Sequence, residues 1–595
     1  MSRRVELQRP RAPRAAPAVA LVLALGLAPA CSSFPEDPSS GGLPRPLAGM
    51  VVSEHPLATE VGVAILDAGG NAVDAAVATA LALAVVYPVA GNLGGGGFAL
   101  YAPPGGEPVA LDFRETAPAA LTAEAFLEDG EPVRERSLDT HLAAGVPGSP
   151  YGLWLLHAEY GQLPLARVAA PAIELAEAGF PVDAWLARDL SGERTRARMT
   201  RDPDTARLFY PGGEPLPEGG LLRQPELAAT LRLLVRRGPE GFYAGEVARA
   251  VAEEMRAGGG VMTEADLAAY RPEWREPLRG WFRGGEVISM PPPSSGGIVL
   301  LQVLAVLDGF PLDAERRAAL DRAAAEGRTD AVGLGERAVH WWIEALRRAF
   351  ADRAAHMGDP DHYPVPQEEL LDPDWIAERR ISIGELAQPD VQPWASPPPV
   401  EGSQTTHLSV LDDRGGAVSL TTTLNSGFGS GLVVGGAGFL LNNEIDDFSI
   451  QPGVPNVYGL VGGEANAIRP GKRPLSSMTP AILREPGGAV TMVIGSPGGP
   501  RIITAVLEVI LRAEVYGQSI AEAVEAPRLH QQWKPEQTFF EPGWDPELLD
   551  GLRARGHLVE EGTRRWASVQ AIQLAPGGQP QGASDSRRGG SALAQ

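Results

Sequence analysis

The chain has 595 residues, 44% hydrophobic and 21% charged, and its 74 acidic and 51 basic side chains leave a formal charge of −23. This composition excludes a mainly disordered chain, and the lack of any long basic run beyond the first 15 residues excludes the electrostatic footprint of a nucleic-acid binder. A single cysteine, Cys31, rules out an internal disulfide and a thiolate-rich zinc site.

The N-terminus reads as an export signal. Arg3, Arg4, Arg9, Arg11 and Arg14 precede an apolar stretch, Ala18 to Ala30, too short to span a bilayer comfortably. Cys31 follows the A-P-A of Ala28 to Ala30, so residues 1–31 are expected to be a signal peptide with a lipid-accepting cysteine of the bacterial lipoprotein kind; plain cleavage after Ala30 is the alternative. Residues 32–48, rich in Pro, Ser and Gly, read as a tether, with folding starting near Gly49.

From Pro56 to Pro88 the helical spacing of apolar residues breaks once, at Gly69 and Gly70, which predicts two packed helices. The second, Val73 to Val86, is apolar on nearly every face and must be buried. FALYA and VALDFR, separated by PPGGEP, predict a hairpin that leaves Arg114 at a strand end. Residues 150 to 285 read as mostly helical, and Ala314 to Gly335, charged and Ala-rich, as a solvated helical insertion.

The stretch SQTTHLSVLDDRGGAVSLTTTLN, from Ser403 to Asn425, predicts a second hairpin turning near Arg414. Its cross-strand partners then have residue numbers summing to about 828, so Thr405 faces Thr423. Two hydroxyls so placed could tune one another, but Thr–Thr pairs also occur in sheets for packing alone, and spacing leaves both readings open. His407 in the same hairpin reads as a structural hydrogen-bonding residue, not a ligand.

GFLLNNEIDDFS, from Gly438 to Ser449, reads as an apolar strand ending in Asn442, Asn443, Glu444, Asp446 and Asp447, a cluster suited to a cation or an ammonium group. It lacks the glycine and glutamate positions of a calcium loop. Lys472 to Met478 offers the adjacent hydroxyls of Ser476 and Ser477. VTMVIGSPGGPRIITAVLEVIL then runs from strand through glycines into a helix. Gly498 and Gly499 would present N–H groups near a helix N-terminus, either as an oxyanion site or as a tight turn needing φ > 0. No H-E-x-x-H, C-x-x-C or G-x-S-x-G is present, so zincin, redox and serine-elbow chemistries lack their minimum parts.

Taken together, QTTHLSV, LLNNEIDDFS, PGVPNVYGLVGGEANA, KRPLSSMTP, GSPGGPRIITAVL and GASDSRR resemble the gamma-glutamyltranspeptidase family of N-terminal-nucleophile hydrolases. Upstream, HPLATEVGVAILDAGGNAVDAAVA, GGGGFALYAP, LDFRETAPA and PPPSSGGIVLLQVL continue the resemblance, which covers nearly all of Gly49 to Arg588 except the 314 to 335 insertion.

The resemblance implies a four-layer αββα sandwich, in which one domain is shared by a large chain, 49–404, and a small catalytic chain, 405–595, after self-cleavage between Gln404 and Thr405. Thr405 would then supply both nucleophile and, through its new α-amino group, base. Thr423 would bond the Thr405 hydroxyl, and Gly498 and Gly499 would stabilise the oxyanion. Arg114, Ser476 and Ser477 would hold a substrate α-carboxylate; Asn425, Glu444 and Asp447 its α-ammonium group. Glu444 stands where many bacterial relatives carry Gln and the animal enzymes Glu, and Tyr458 lies in a segment resembling the lid of family members that have one.

The expected activity is γ-glutamyl transfer from glutathione and related compounds to water, amino acids or peptides, with no cofactor and no metal. The expected location is periplasmic or cell-surface, with membrane contact only through the lipid. A related amidase, such as a cephalosporin acylase or a poly-γ-glutamate depolymerase, and an inactive peptide-binding lipoprotein are the alternatives.

Overall fold

A computed structural model describes residues 47–329, 331–388, 403–575 and 577–595. The expected signal peptide, Cys31 and nearly all of the tether lie outside the described residues. Folding begins as expected near Gly49, with strand Met50–Ser53.

Two antiparallel sheets form the centre of the molecule. The first runs Ser591–Ala594, Met50–Ser53, Ser403–Leu411, Ala417–Ser426, Gly96–Ala102, Val109–Phe113 and Glu273–Arg275. The second runs Pro580–Ser584, Gln570–Leu574, Val490–Gly495, Ala481–Arg484, Gly285–Ser289 and Leu278–Phe282. They stack face to face: Ser409 Oγ donates to the Gln570 carbonyl and Ser419 Oγ to the Ile494 carbonyl, each at 3.0 Å.

The two-residue pleat divides each strand between two cores. In Gly96–Ala102, Phe98, Leu100 and Ala102 enter the core between the sheets, while Ala99 and Tyr101 enter the core beneath the first helical layer. That layer contains helices Pro56–Asp67, Ala72–Val86, Leu165–Ala178 and Pro225–Arg237. Helices Gly296–Asp308, Glu336–His356 and Arg501–Glu514 cover the second sheet. The order helix, sheet, sheet, helix is the αββα sandwich expected from the sequence. Residues on both sides of Gln404 contribute to each core, so the expected chain boundary runs through one folded unit.

Ala72–Val86 is buried at all 15 positions, as its all-round apolar character requires. Asn71 and Asp74 cap it reciprocally: Asp74 N donates to Asn71 Oδ1 at 2.9 Å and Asn71 N to Asp74 Oδ2 at 3.0 Å. The charged segment after Pro311 forms helix Leu312–Ala325 with only Leu312 and Ala323 buried, and residues 326–329 and 331–335 are not helical.

One expectation is corrected. Residues 438 to 443 form no strand; Leu440 makes a single bridge to Val433, and Glu444–Asp447 is a turn of 3-10 helix. The polar groups here bond irregular backbone instead of a ladder: Asn442 N and Nδ2 both donate to the Gly94 carbonyl, at 3.2 and 2.7 Å. A Cβ at Gly94 would meet the Leu440 carbonyl oxygen at 2.0 Å, so the approach requires glycine.

Candidate active site

The Ser403–Leu411 and Ala417–Ser426 hairpin turns through Asp412–Gly416. Asp412 Oδ1 accepts from Arg414 N at 3.0 Å and Gly416 N at 2.8 Å, and Gly415 adopts φ 86°. This turn sets the register Leu411 to Ala417, and every pair down to Thr405 and Thr423 follows it. The two threonine hydroxyls stand 3.3 Å apart.

Beyond that pair the ladder slips. Ser403 pairs with Ser426, so Leu424 and Asn425 together face Gln404, a bulge at the expected scissile bond. Asn425 sits in the left-handed region at φ 73°, and its N–H donates to Thr423 Oγ1 at 2.9 Å. Its side chain donates to the Asn443 carbonyl at 2.8 Å. The Tyr458 hydroxyl donates toward both the Asn425 carbonyl, at 3.0 Å, and Asn425 Oδ1.

Thr405, Thr423, Asn425 and Tyr458 line a cavity of about 20 Å³, together with Glu444, Asp447, Ser476, Ser477 and Gly499. Strand Val490–Gly495 and helix Arg501–Glu514 bracket the glycine turn, as the sequence predicts. Gly498 has φ 136° and Gly499 φ 57°. Neither of their N–H groups donates to a carbonyl or side chain among the described residues.

Arg114 follows strand Val109–Phe113 and is fully buried beside Glu444 and Asp447. One Nη donates to Glu444 and Glu115, the other to Asp447 at 2.6 Å, and Nε donates to the Pro474 carbonyl at 3.2 Å. One guanidinium thus serves three carboxyl groups. Burial pushes Glu444 and Asp447 above the usual carboxylate range and Glu115 up to about 7, against the pull of Arg114. Glu444 Oε2 and Glu115 Oε1 are buried with no hydrogen-bond partner among the described residues. Arg114, expected to hold a carboxylate, and Glu444 and Asp447, expected to hold an ammonium group, therefore face each other as internal ion pairs.

Ser476 Oγ accepts from Met478 N at 3.1 Å, and its carbonyl accepts from Ser295 N and Oγ at 2.8 and 2.7 Å. Sequence reasoning missed Arg353, on helix Glu336–His356, which lines the same cavity. Its Nε donates to Ser295 Oγ at 2.9 Å and its Nη2 reaches Ser477 Oγ at 3.4 Å. Burial pulls its guanidinium down to about 10, although the Asp447 carboxylate opposes the shift. In sequence it looks like Arg347 and Arg348 on the same helix, both of which bond Glu344.

His407 is structural, as expected. It is fully buried, its ring nitrogens lie 2.8 Å from Thr421 Oγ1 and 3.1 Å from Ser409 Oγ, and burial lowers its pKa to about 3.

Comparison with known proteins identifies the family. Residues 58–595 match the family model described as Gamma-glutamyltranspeptidase. The chain is 44% identical over 583 residues to a glutathione hydrolase proenzyme of Escherichia coli, covering 96% of this chain and 97% of the relative. Its fold superposes on a cephalosporin acylase from Bacillus halodurans with a TM-score of 0.79 at 31% identity, covering 94% and 98% of the two chains. It superposes on the gamma-glutamyltranspeptidase of Helicobacter pylori with a TM-score of 0.52 at 39% identity, covering 60% of this chain and 95% of that one. Sequence and fold agree, and the chain belongs to the gamma-glutamyltranspeptidase family.

Proposed function

We propose that this protein is a self-cleaving glutathione hydrolase and γ-glutamyltransferase. The observation that carries the reading is the Thr405 to Thr423 hydroxyl pair at 3.3 Å, in a cavity that also contains an acidic pair backed by a buried arginine.

Cleavage of the Gln404–Thr405 bond frees the Thr405 α-amino group. Its reference pKa of about 7.7 to 8.0 suits a general base near neutrality. The amine takes the proton from Thr405 Oγ1 as that oxygen attacks the γ-carbonyl carbon, and Thr423 orients the hydroxyl. The Gly498 and Gly499 N–H groups receive the resulting oxyanion. The ammonium then protonates the leaving amine as the amide bond breaks, leaving a γ-glutamyl ester on Thr405. Water or an acceptor amine resolves that ester by the same steps in reverse order.

The α-carbon of a γ-glutamyl group carries one ammonium and one carboxylate. Inserted between Arg114 and the acidic pair, it would exchange their internal ion pairs for substrate ones: carboxylate to Arg114, Ser476 and Ser477, ammonium to Asn425, Glu444 and Asp447. A cavity of about 20 Å³ accommodates a water-sized group, so binding requires these internal contacts to part or the Tyr458 segment to lift as a lid. The large and small chains remain together as a heterodimer because they share both cores.

A second reading, an amidase for another acyl group, draws on the likeness to the cephalosporin acylase fold. The Arg114, Glu444 and Asp447 cluster favours a free glutamyl α-carbon. Export with a lipid on Cys31 completes the proposal and would place the enzyme on the periplasmic or outer side of a membrane.

The test is maturation coupled to turnover. Purified protein runs as two fragments, the smaller beginning TTHLSV, and hydrolyses γ-glutamyl-p-nitroanilide faster when glycylglycine is added; Thr405→Ala stays a single inactive chain. Full activity in uncut wild-type protein would refute the mechanism.

A further inference from the structure

Lysine is rare in this chain: of 51 basic residues, only Lys472 and Lys534 are lysines. Lys472 is fully buried and forms no ion pair among the described residues. Its Nζ donates instead to the Ala465 carbonyl at 2.7 Å and the Ala467 carbonyl at 2.9 Å. Holding an ammonium group out of water without a carboxylate partner is costly, and burial pulls its pKa down to about 8. The compact head of lysine, with three donors on one atom, suits two converging carbonyls in a way that the planar fork of arginine does not.

The two carbonyls flank Asn466, and Asn466 joins two walls of the threonine cavity. Its Nδ2 donates to the Asp447 carbonyl at 2.7 Å, and its own carbonyl accepts from Ser449 N at 2.9 Å, which fastens the acidic wall. Its Oδ1 accepts from Leu475 N at 3.0 Å, which fastens the segment carrying Ser476 and Ser477. Strand pairing sets neither wall: Glu444–Asp447 is a turn of 3-10 helix, and Ser476 makes a single bridge to Ser294. The Ala465 carbonyl is itself confined, because a Cβ on Gly358 would meet its oxygen at 2.1 Å. Neither Lys472 nor Asn466 lines the cavity.

We propose that Lys472 and Asn466 are positioning residues that fix the separation between the Asp447 carboxylate and the Ser476 and Ser477 hydroxyls, and so select acyl groups carrying an ammonium and a carboxylate on one carbon. The inference rests on the γ-glutamyl reading and assigns its specificity to two residues outside the cavity. Two groups on one carbon can be met at once only if their partners are held within about 0.5 Å of the productive geometry. A substrate with a single charged group can shift to suit a displaced wall.

The experiment compares γ-glutamyl-p-nitroanilide with glutaryl-p-nitroanilide, which lacks only the α-ammonium group. Lys472→Met lowers the γ-glutamyl to glutaryl ratio of kcat/KM about tenfold, the scale of one charge-assisted hydrogen bond, mainly through KM, and leaves self-cleavage complete. Asn466→Ala lowers the ratio in the same way with the lysine retained, and it decides the question if Lys472→Met does not fold. A wild-type ratio in the folded, processed variants overturns the proposal, and so does an equal loss on both substrates, which is what general loosening of the fold produces. If wild-type enzyme shows no preference for the γ-glutamyl substrate, the γ-glutamyl reading falls, and the positioning role is judged by hydrogen exchange at the Ser449 amide, which bonds the backbone of residue 466. Faster exchange in the folded variants then supports that role, and equal rates overturn it.

Discussion

Replacing Arg114 with lysine separates the charge of this side chain from its shape. The guanidinium bonds Glu444 and Asp447 through different nitrogens and the Pro474 carbonyl through a third. A lysine ammonium keeps the positive charge that the buried carboxyl groups need, so the variant folds, whereas removing the charge altogether would cost about 3–5 kcal/mol. What lysine cannot reproduce is a pair of parallel bonds to a substrate carboxylate. Losing one charge-assisted hydrogen bond costs ~1.5–3 kcal/mol, which is about 10- to 150-fold in kcat/KM. The α-carboxylate does not react, so its contact is equal in ground and transition states and the loss falls on KM while kcat changes little. Initial rates on γ-glutamyl-p-nitroanilide measure both constants, and a denaturing gel shows whether the variant still cuts itself, which it does because no substrate takes part. A fully processed Arg114→Lys enzyme with wild-type KM would refute the assignment of Arg114 to the α-carboxylate.

Thr423→Val removes the hydroxyl 3.3 Å from Thr405 Oγ1 and the acceptor for Asn425 N–H. It lowers kcat about tenfold, the worth of roughly one hydrogen bond of ~1–1.5 kcal/mol, and an unchanged kcat in single-turnover kinetics removes Thr423 from the reaction. His407 stays neutral when folded, with a pKa of about 3, whereas the unfolded chain binds its proton below the ordinary histidine value of 6.5. Its contribution is therefore whole above pH 6.5 and is lost as pH falls towards 3. Between pH 7 and pH 5, wild type loses about 2 kcal/mol relative to His407→Gln; parallel denaturation curves at the two pH values contradict this. Cys31→Ser releases an active enzyme into the periplasm or medium, and a variant that sediments with membranes as the parent does excludes the lipid anchor.

Local rules made much of this protein legible from its sequence. The helix Ala72–Val86 could only be buried, because an apolar residue on every face has no side to offer water. The pairing of Thr405 with Thr423 followed from turn length, since antiparallel register keeps the sum of partner numbers constant. The strand, glycine turn and helix around Gly498 and Gly499 were equally local. Elsewhere local pattern misled. Gly438 to Ser449 has the apolar run of a strand, but its backbone bonds the loop at Gly94, whose close approach is a property of the folded chain. The tertiary structure alone decided which charges are buried together. Nothing in sequence distinguishes Arg353 from Arg347 and Arg348, yet packing leaves them opposite fates: Arg353 faces the threonine cavity, and the other two bond Glu344 on their own helix. Arg114 lies 330 residues from Glu444, and what joins them is one end of the first sheet, where strand Val109–Phe113 stops and Asn425 bonds the Asn443 carbonyl, so that one guanidinium serves three carboxyl groups.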